Sequence, residues 1–217
     1  MSPFRSSDHV TIADLLAHLP LAVRPQGTVS AAALARRVNV PRIQKPGLAL
    51  AGWPEQLHQN RVLVLGGTEI DYLDAAAATA REVGIATLLA SEPACIVVCR
   101  GRNAPADLIA AADARTIPVL TSDLVTAEFI AEVTSWLGVR LAPSSSVHGV
   151  LIDVLGIGVL VMGKSGVGKS ETALDLVVRG HRLIADDVVM LRRTGTTVTG
   201  LCAKTLGHHM EIRGLGV

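Results

Sequence analysis

The stretch GKSGVGKSETALDLVVRGHRLIADDVVM, residues 163–190, decides how this chain is read. Gly163, Gly168, Lys169 and Ser170 fall at the spacing G-x-x-x-x-G-K-[ST]. That spacing serves a defined chemistry. A strand must end in a loop whose successive backbone N–H groups converge on phosphate oxygens, and glycines allow the positive φ this needs. Lysine adds a compact cation at the β/γ oxygens, and the serine hydroxyl is a ligand for Mg²⁺. The loop must then open a helix whose amino end favours the anion. The preceding GVLVM (158–162) reads as the strand. The following SETALDLVVRG (170–180) reads as the helix, with Leu174, Val177 and Val178 inward and Gly180 past its end. A random chain of this length meets the pattern on the order of 1% of the time. The expectation is therefore a nucleotide triphosphate site over Gly163, Lys164, Ser165, Gly166, Val167, Gly168, Lys169 and Ser170.

Asp186 and Asp187 follow the apolar run RLIA. A carboxylate at a strand end beside such a loop binds metal or acts as base in many phosphoryl-transfer enzymes, and it is equally an ordinary turn residue. With both on one continuous strand, 182–193, the two point to opposite sides and only one faces the phosphates. His148 precedes the first strand of this half, and Glu211 lies in MEIRGLGV near the last residue. Taken alone, neither is distinguished from a structural or exposed side chain.

Composition narrows the classes of partner. The chain has 217 residues, 49% hydrophobic, with formal net charge +1. Two Trp, one Tyr and two Phe are too few for a base-stacking platform. The balanced charge argues against a general nucleic-acid or membrane-surface binder. Cys95 and Cys99 alternate with apolar residues as buried strand cysteines do, and further ligands for a metal are not near them. The start has no apolar core of a signal peptide, and the apolar stretch 149–163 is too short to span a bilayer. A cytoplasmic protein is expected.

Two α/β parts are expected, 1–141 and 142–217. In the first, helices are read over 9–19 and 29–39, the latter with Ser30 as N-cap. The run RVLVLGG (61–67) is read as a buried strand. A helix follows over 68–84, with Thr68 as N-cap and Gly84 as terminator. IATLLA (85–90), CIVVCRG (95–101) and IPVLTSD (117–123) read as strands, and 105–116 and 124–138 as helices. The turn VLGGTE has no lysine and no G-x-G-x-x-G, so phosphate binding there is not expected. A Pro/Ser-rich break, LAPSSSVHG (141–149), separates the parts. After it come two short strands around a glycine turn at 156–158, and later a turn at TGTT (194–197).

Several of these pieces, in order, resemble one family. HGVLIDVLGIGVLVMGKSGVGKSETALDLVVRGHRLIADDVV (148–189) followed by MEIRGLGV (210–217), with NRVLVLGGTEIDYL (60–73), is similar to the bacterial HPr kinase/phosphorylases. The resemblance implies a small, regulatory N-terminal domain, then a P-loop kinase domain similar to phosphoenolpyruvate carboxykinase. It implies ATP- and Mg²⁺-dependent phosphorylation of a serine on the phosphocarrier HPr. It also implies the reverse reaction with inorganic phosphate, which forms pyrophosphate, and a homohexamer. By the same resemblance His148 is an active-site residue, Lys169 holds the β/γ-phosphates, Asp187 is the general base, and Ser170 and Glu211 bind Mg²⁺. Lys164 stands where the family is usually acidic or polar. The family also continues beyond the signature in which this chain stops, so a fragment is expected. Its missing part would hold a catalytic arginine. Two other readings remain open: a P-loop kinase of a small metabolite, and a nucleotide-sensing regulator without catalysis.

Overall fold

The structure, a computed structural model, describes residues 9–53 and 57–202. These fall into two compact units that meet in sequence at Leu141 and Ala142. Each is α/β in construction.

The first unit runs β1 (Val10–Thr11), α1 (Ile12–His18), β2 (Val23–Pro25), α2 (Ala31–Leu34), β3 (Arg37–Val38), β4 (Ile43–Gln44), α3 (Gly47–Leu50), β5 (Val62–Leu65), α4 (Gly67–Ala75), α5 (Ala78–Ala90), β6 (Cys95–Val98), α6 (Ala106–Asp113), β7 (Val119–Ser122) and α7 (Thr126–Arg140). Its sheet has the order β2-β7-β6-β5-β4, with β4 to β7 parallel and β2 antiparallel at the edge. Successive strand residues face opposite ways. Val62, Val64, Cys95 and Val97 therefore meet Ile12 and Leu15 of α1 and Phe129, Val133 and Leu137 of α7. Leu63, Leu65, Ile96 and Val98 meet Ile70, Leu73, Leu88 and Leu108 on the other face. With both faces covered, these strands read as unbroken apolar runs. Burial raises the Cys95 thiol to about 12 and the Cys99 thiol to about 11, so both are neutral packing groups.

Several local expectations are corrected here. The helix expected over 68–84 is two helices. The first starts at Gly67, with Gly66 rather than Thr68 as N-cap, and extended backbone at Ala76 and Ala77 separates it from α5. IATLLA is not a strand; it forms the last turns of α5, where Ile85, Leu88 and Leu89 bury one stripe at helical spacing. A six-residue, mostly apolar run fits either period, and packing decides. Gly84 lies inside that helix. A Cβ there would come 3.3 Å from Leu50 Cδ2, so the glycine admits α3 rather than ending α5. Ser30 does cap α2, accepting from Ala33 N–H, but α2 is one turn long and the chain leaves to pair β3 with β1. The last helix passes through Gly138 to Arg140.

The second unit runs β8 (Ser144–His148), β9 (Val150–Val154), β10 (Ile157–Val161), α8 (Lys169–Val178), β11 (Arg182–Ala185), β12 (Val188–Thr194) and β13 (Thr197–Cys202). Two antiparallel sheets form, β10-β9-β11 and β13-β12-β8. Most of the expected break is therefore strand β8. The single strand expected over 182–193 is two strands in different sheets, parted at Asp186–Asp187. Helix α8 packs Ala173, with Leu176, against Val150 and Ile152. Leu174 and Val178, expected inward, are exposed. The helix ends with Gly180 N–H donating to Val177 O and His181 N–H to Leu176 O, which satisfies its last carbonyls.

Candidate active site

The loop between β10 and α8 is built by its backbone. Gly166 has φ +85° and Gly168, the N-cap of α8, has φ +93°. Left-handed residues within such a loop are what bring successive N–H groups to one side as an anion cradle. Thr172 locks the helix start, its N–H and Oγ1 both donating to Gly168 O. Lys169 Nζ donates to Gly163 O at 3.1 Å and Lys164 O at 3.0 Å, so the ammonium lies over the loop. Phosphate oxygens entering the cradle would compete with those two carbonyls for it.

Across from the loop, β8 and β12 pair so that His148 lies opposite Val188. Gly149 N–H donates to Asp187 O at 3.1 Å, tying the strand start to the aspartate. Gly149 is required by space: a Cβ there would meet Val161 O at 2.7 Å. Between Ala185 and Val188 the chain crosses from one sheet to the other through a three-residue turn but keeps its direction, β11 and β12 both running antiparallel to the consecutive β9 and β8. Val188 N–H donates to Asp186 O, with Asp187 at φ +68° between them. A γ-turn with its central residue at positive φ is rare and strained. Asp186 stabilises it, its Oδ1 accepting the Asp187 N–H at 3.0 Å. The pair does not lie within one regular strand with opposite faces, because the tight turn interrupts the ladder between β11 and β12. Asp187 Oδ1 is 3.5 Å from His148 Nδ1, with the two side chains 77% and 84% exposed. An ion pair so open adds little stability. What it records is placement.

One cavity of about 430 Å³ collects these groups. Gly163, Ser165, Gly166, Gly168, Lys169 and Ser170 line one side, and His148, Asp186 and Asp187 another. Among the described residues Lys164 and Val167 are not part of the lining; both are exposed on the loop. Glu211 lies outside the described residues. Gly149, Glu171 and Leu174 line the cavity without having been singled out. Glu171 had a signal, the Ser-Glu that opens the helix. Leu174 did not, since an apolar residue at helical spacing reads as core. Mg²⁺ prefers hard oxygen ligands and keeps several waters, usually adding one or two carboxylates and substrate phosphates. The Ser170 hydroxyl and the Asp186 and Asp187 carboxylates are donors of that kind. No group of three or more His, Cys, Asp or Glu is gathered for a metal among the described residues. Within them, no helix is long and apolar enough to cross a membrane.

At the Gly66–Gly67 turn the first unit uses its own acid. Glu69, buried, accepts Gly66 N–H at 2.9 Å and pairs with Lys45 at 3.2 Å. The chain's own carboxylate takes the place an anion would need.

Comparison with known proteins supplies a family for the chain. A family model described as HPr Serine kinase N terminus matches residues 10–137, and one described as HPr Serine kinase C-terminal domain matches 139–217. The HPr kinase/phosphorylase of Geobacter sulfurreducens is 48% identical over 187 residues, covering 86% of this chain and 59% of the relative. That of Lactobacillus johnsonii is 45% identical over 181 residues, covering 83% and 57%. A solved structure of the Hpr(Ser) kinase/phosphatase from Coxiella burnetii is 33% identical, over 33% of this chain and 44% of that one, with TM-score 0.32. The chain thus spans under two thirds of the length of these curated relatives. On the match of both family models, the chain belongs to the HPr serine kinase family.

Proposed function

We propose that this chain carries the nucleotide site and general base of a protein-serine kinase/phosphorylase acting on HPr. The observation that carries the reading is the single cavity in which the Lys169–Ser170 loop end faces Asp187. In the forward direction the cradle and Lys169 hold the β/γ-phosphates of ATP. Asp187 takes the proton of the HPr serine hydroxyl as that oxygen attacks the γ-phosphorus, and the β–γ bridging bond breaks to release ADP. In reverse, an oxygen of inorganic phosphate attacks the serine-bound phosphorus. Asp187, now the acid, returns its proton to the leaving serine oxygen, and pyrophosphate is formed. One carboxyl serves both directions, as microscopic reversibility requires. His148 orients that carboxylate from 3.5 Å. Ser170, with Glu211 by family likeness, is our assignment for holding Mg²⁺, which supplies charge neutralisation at the phosphates.

The strained turn at Asp187 supports the reading, since backbone outliers concentrate at functional sites. The names of the relatives favour HPr over a small metabolite as acceptor. Family likeness supports a homohexamer working in the cytoplasm, and a division at 141/142 into a regulatory and a catalytic domain. The test is transfer of label from γ-phosphate-labelled ATP to HPr by the protein at the length of its relatives. Asp187→Asn should abolish transfer in both directions while nucleotide binding persists. Undiminished HPr phosphorylation by that variant would remove Asp187 as base.

A further inference from the structure

The first unit has a cavity of about 770 Å³ at the amino ends of its parallel strands, opposite the glycine turn of β5. Its walls carry three guanidinium groups, from Arg36, Arg37 and Arg115, against one carboxylate, Glu92. The two ends of the sheet treat their cations differently. At the carboxyl ends, where open α/β sheets ordinarily take ligands, the chain's own acids occupy three of the nearby cations, while Arg100 after β6 has no acidic partner among the described residues. Arg24 grips Asp123 through two bonds, Arg102 pairs with Asp71, and Lys45 pairs with Glu69. At the amino ends, neither the Arg37 nor the Arg115 guanidinium has an acidic partner among the described residues. Arg36 is fixed there from behind, Nε and Nη2 both donating to Pro93 O at 3.2 and 2.8 Å.

The floor and rim are equally defined. Leu89 and Ile117, both buried, form an apolar base. The rim is held by backbone: Asn60 N–H donates to Glu92 O, and Asn60, Glu92 and Thr116 all have positive φ. Thr116 and Glu92 stand where a glycine would be the unstrained choice, and threonine at positive φ is an outlier. A cavity of this size is within the roughly 300–1,000 Å³ range of small-molecule sites. Guanidinium groups present fixed forks suited to carboxylate and phosphate oxygens. The Asn39 and Asn60 amides add neutral donors, and the exposed Glu92 carboxylate is an acceptor for a donor group of the ligand.

We propose that this cavity binds a small polyanion, with two or more carboxylate or phosphate groups and a hydroxyl or amine facing Glu92, and that Arg37 and Arg115 anchor it. The site is separate from the nucleotide loop and stands whether or not that loop binds ATP. The test is calorimetric titration of the whole chain with citrate and, separately, with pyrophosphate. It is run on Lys169→Ala protein, which lacks the loop cation that would hold pyrophosphate, with and without the Arg37→Gln/Arg115→Gln double change, in low salt. At least one probe should bind the Lys169→Ala protein. The double arginine variant should weaken that binding about tenfold or more, the scale of a lost charge-assisted contact. Citrate alone surviving that comparison identifies a polycarboxylate site, and pyrophosphate alone a phosphorylated ligand. Because both arginines are exposed, an unchanged thermal midpoint shows that the double variant is folded. Binding to the Lys169→Ala protein that persists undiminished when both arginines are replaced, or that is not seen with either probe, would overturn the proposal.

Discussion

Replacing Asp187 by Gly and, separately, by Ala isolates the strain at the centre of the candidate site. Both changes delete the carboxylate, so its 3.5 Å contact with His148 is lost equally and cancels in the comparison. What differs is the Cβ. At φ +68° a Cβ costs about 1–2 kcal/mol through its clash with the following carbonyl. Glycine returns about 0.5–1 kcal/mol of that through the extra freedom of its unfolded chain. The Gly variant should therefore be more stable than the Ala variant by about 0.5–1 kcal/mol. Tryptophan emission cannot read this, because Trp53 and Trp136 both lie in the first unit. Native-state hydrogen exchange at Val189, Met190 and Leu191 can. These residues lie in β12 between β8 and β13 and open with the second unit. Their amides should exchange about two- to fivefold more slowly in the Gly than in the Ala variant. Equal or faster exchange in the Gly variant would show that the turn is not held at positive φ, and the strain argument would fail.

Other outcomes follow from the same structure. Gly149→Ala drives a methyl to 2.7 Å from Val161 O, a backbone atom that cannot step aside. It should destabilise the second unit by about 1–3 kcal/mol, read by the same amides. In the first unit the carboxyls of Asp14 and Asp107 are held below their ordinary value. The causes are the Thr11 hydroxyl and N–H for Asp14 and the Arg81 guanidinium for Asp107. A lowered folded value means stability fully present above the unfolded value of about 3.9 and lost as pH falls through the folded one. Urea midpoints followed by tryptophan should drop as pH falls below about 4, and Asp14→Asn should flatten that slope.

How much of this could be read beforehand depended on what kind of signal each feature leaves. Strands β5, β6 and β7 were legible because a sheet covered on both faces imposes unbroken apolar runs. The phosphate loop was legible because its chemistry demands particular residues at particular spacing. IATLLA was misread because a six-residue, mostly apolar run is too short to separate the two periods, and the contact that decides it, Leu50 against Gly84, spans distant positions. The tight turn at Asp187 left no trace in composition, since neither residue is a glycine and the strand on each side continues the same apolar texture. The approach of His148 to Asp187 arises from the register of β8 on β12, which a local pattern does not encode. The arginine cavity gathers residues from position 36 to position 115, each of which reads alone as an ordinary surface charge.

The central claim is that the loop at 163–170 grips the phosphates of ATP, and equilibrium binding of ATP with Mg²⁺ to the parent chain and to Lys169→Ala tests it most directly. Loss of a charged contact to phosphate should weaken binding by about ten- to a hundredfold, with hydrogen exchange elsewhere in the second unit unchanged. Equal affinity in the two proteins, or no binding by the parent chain, would contradict it.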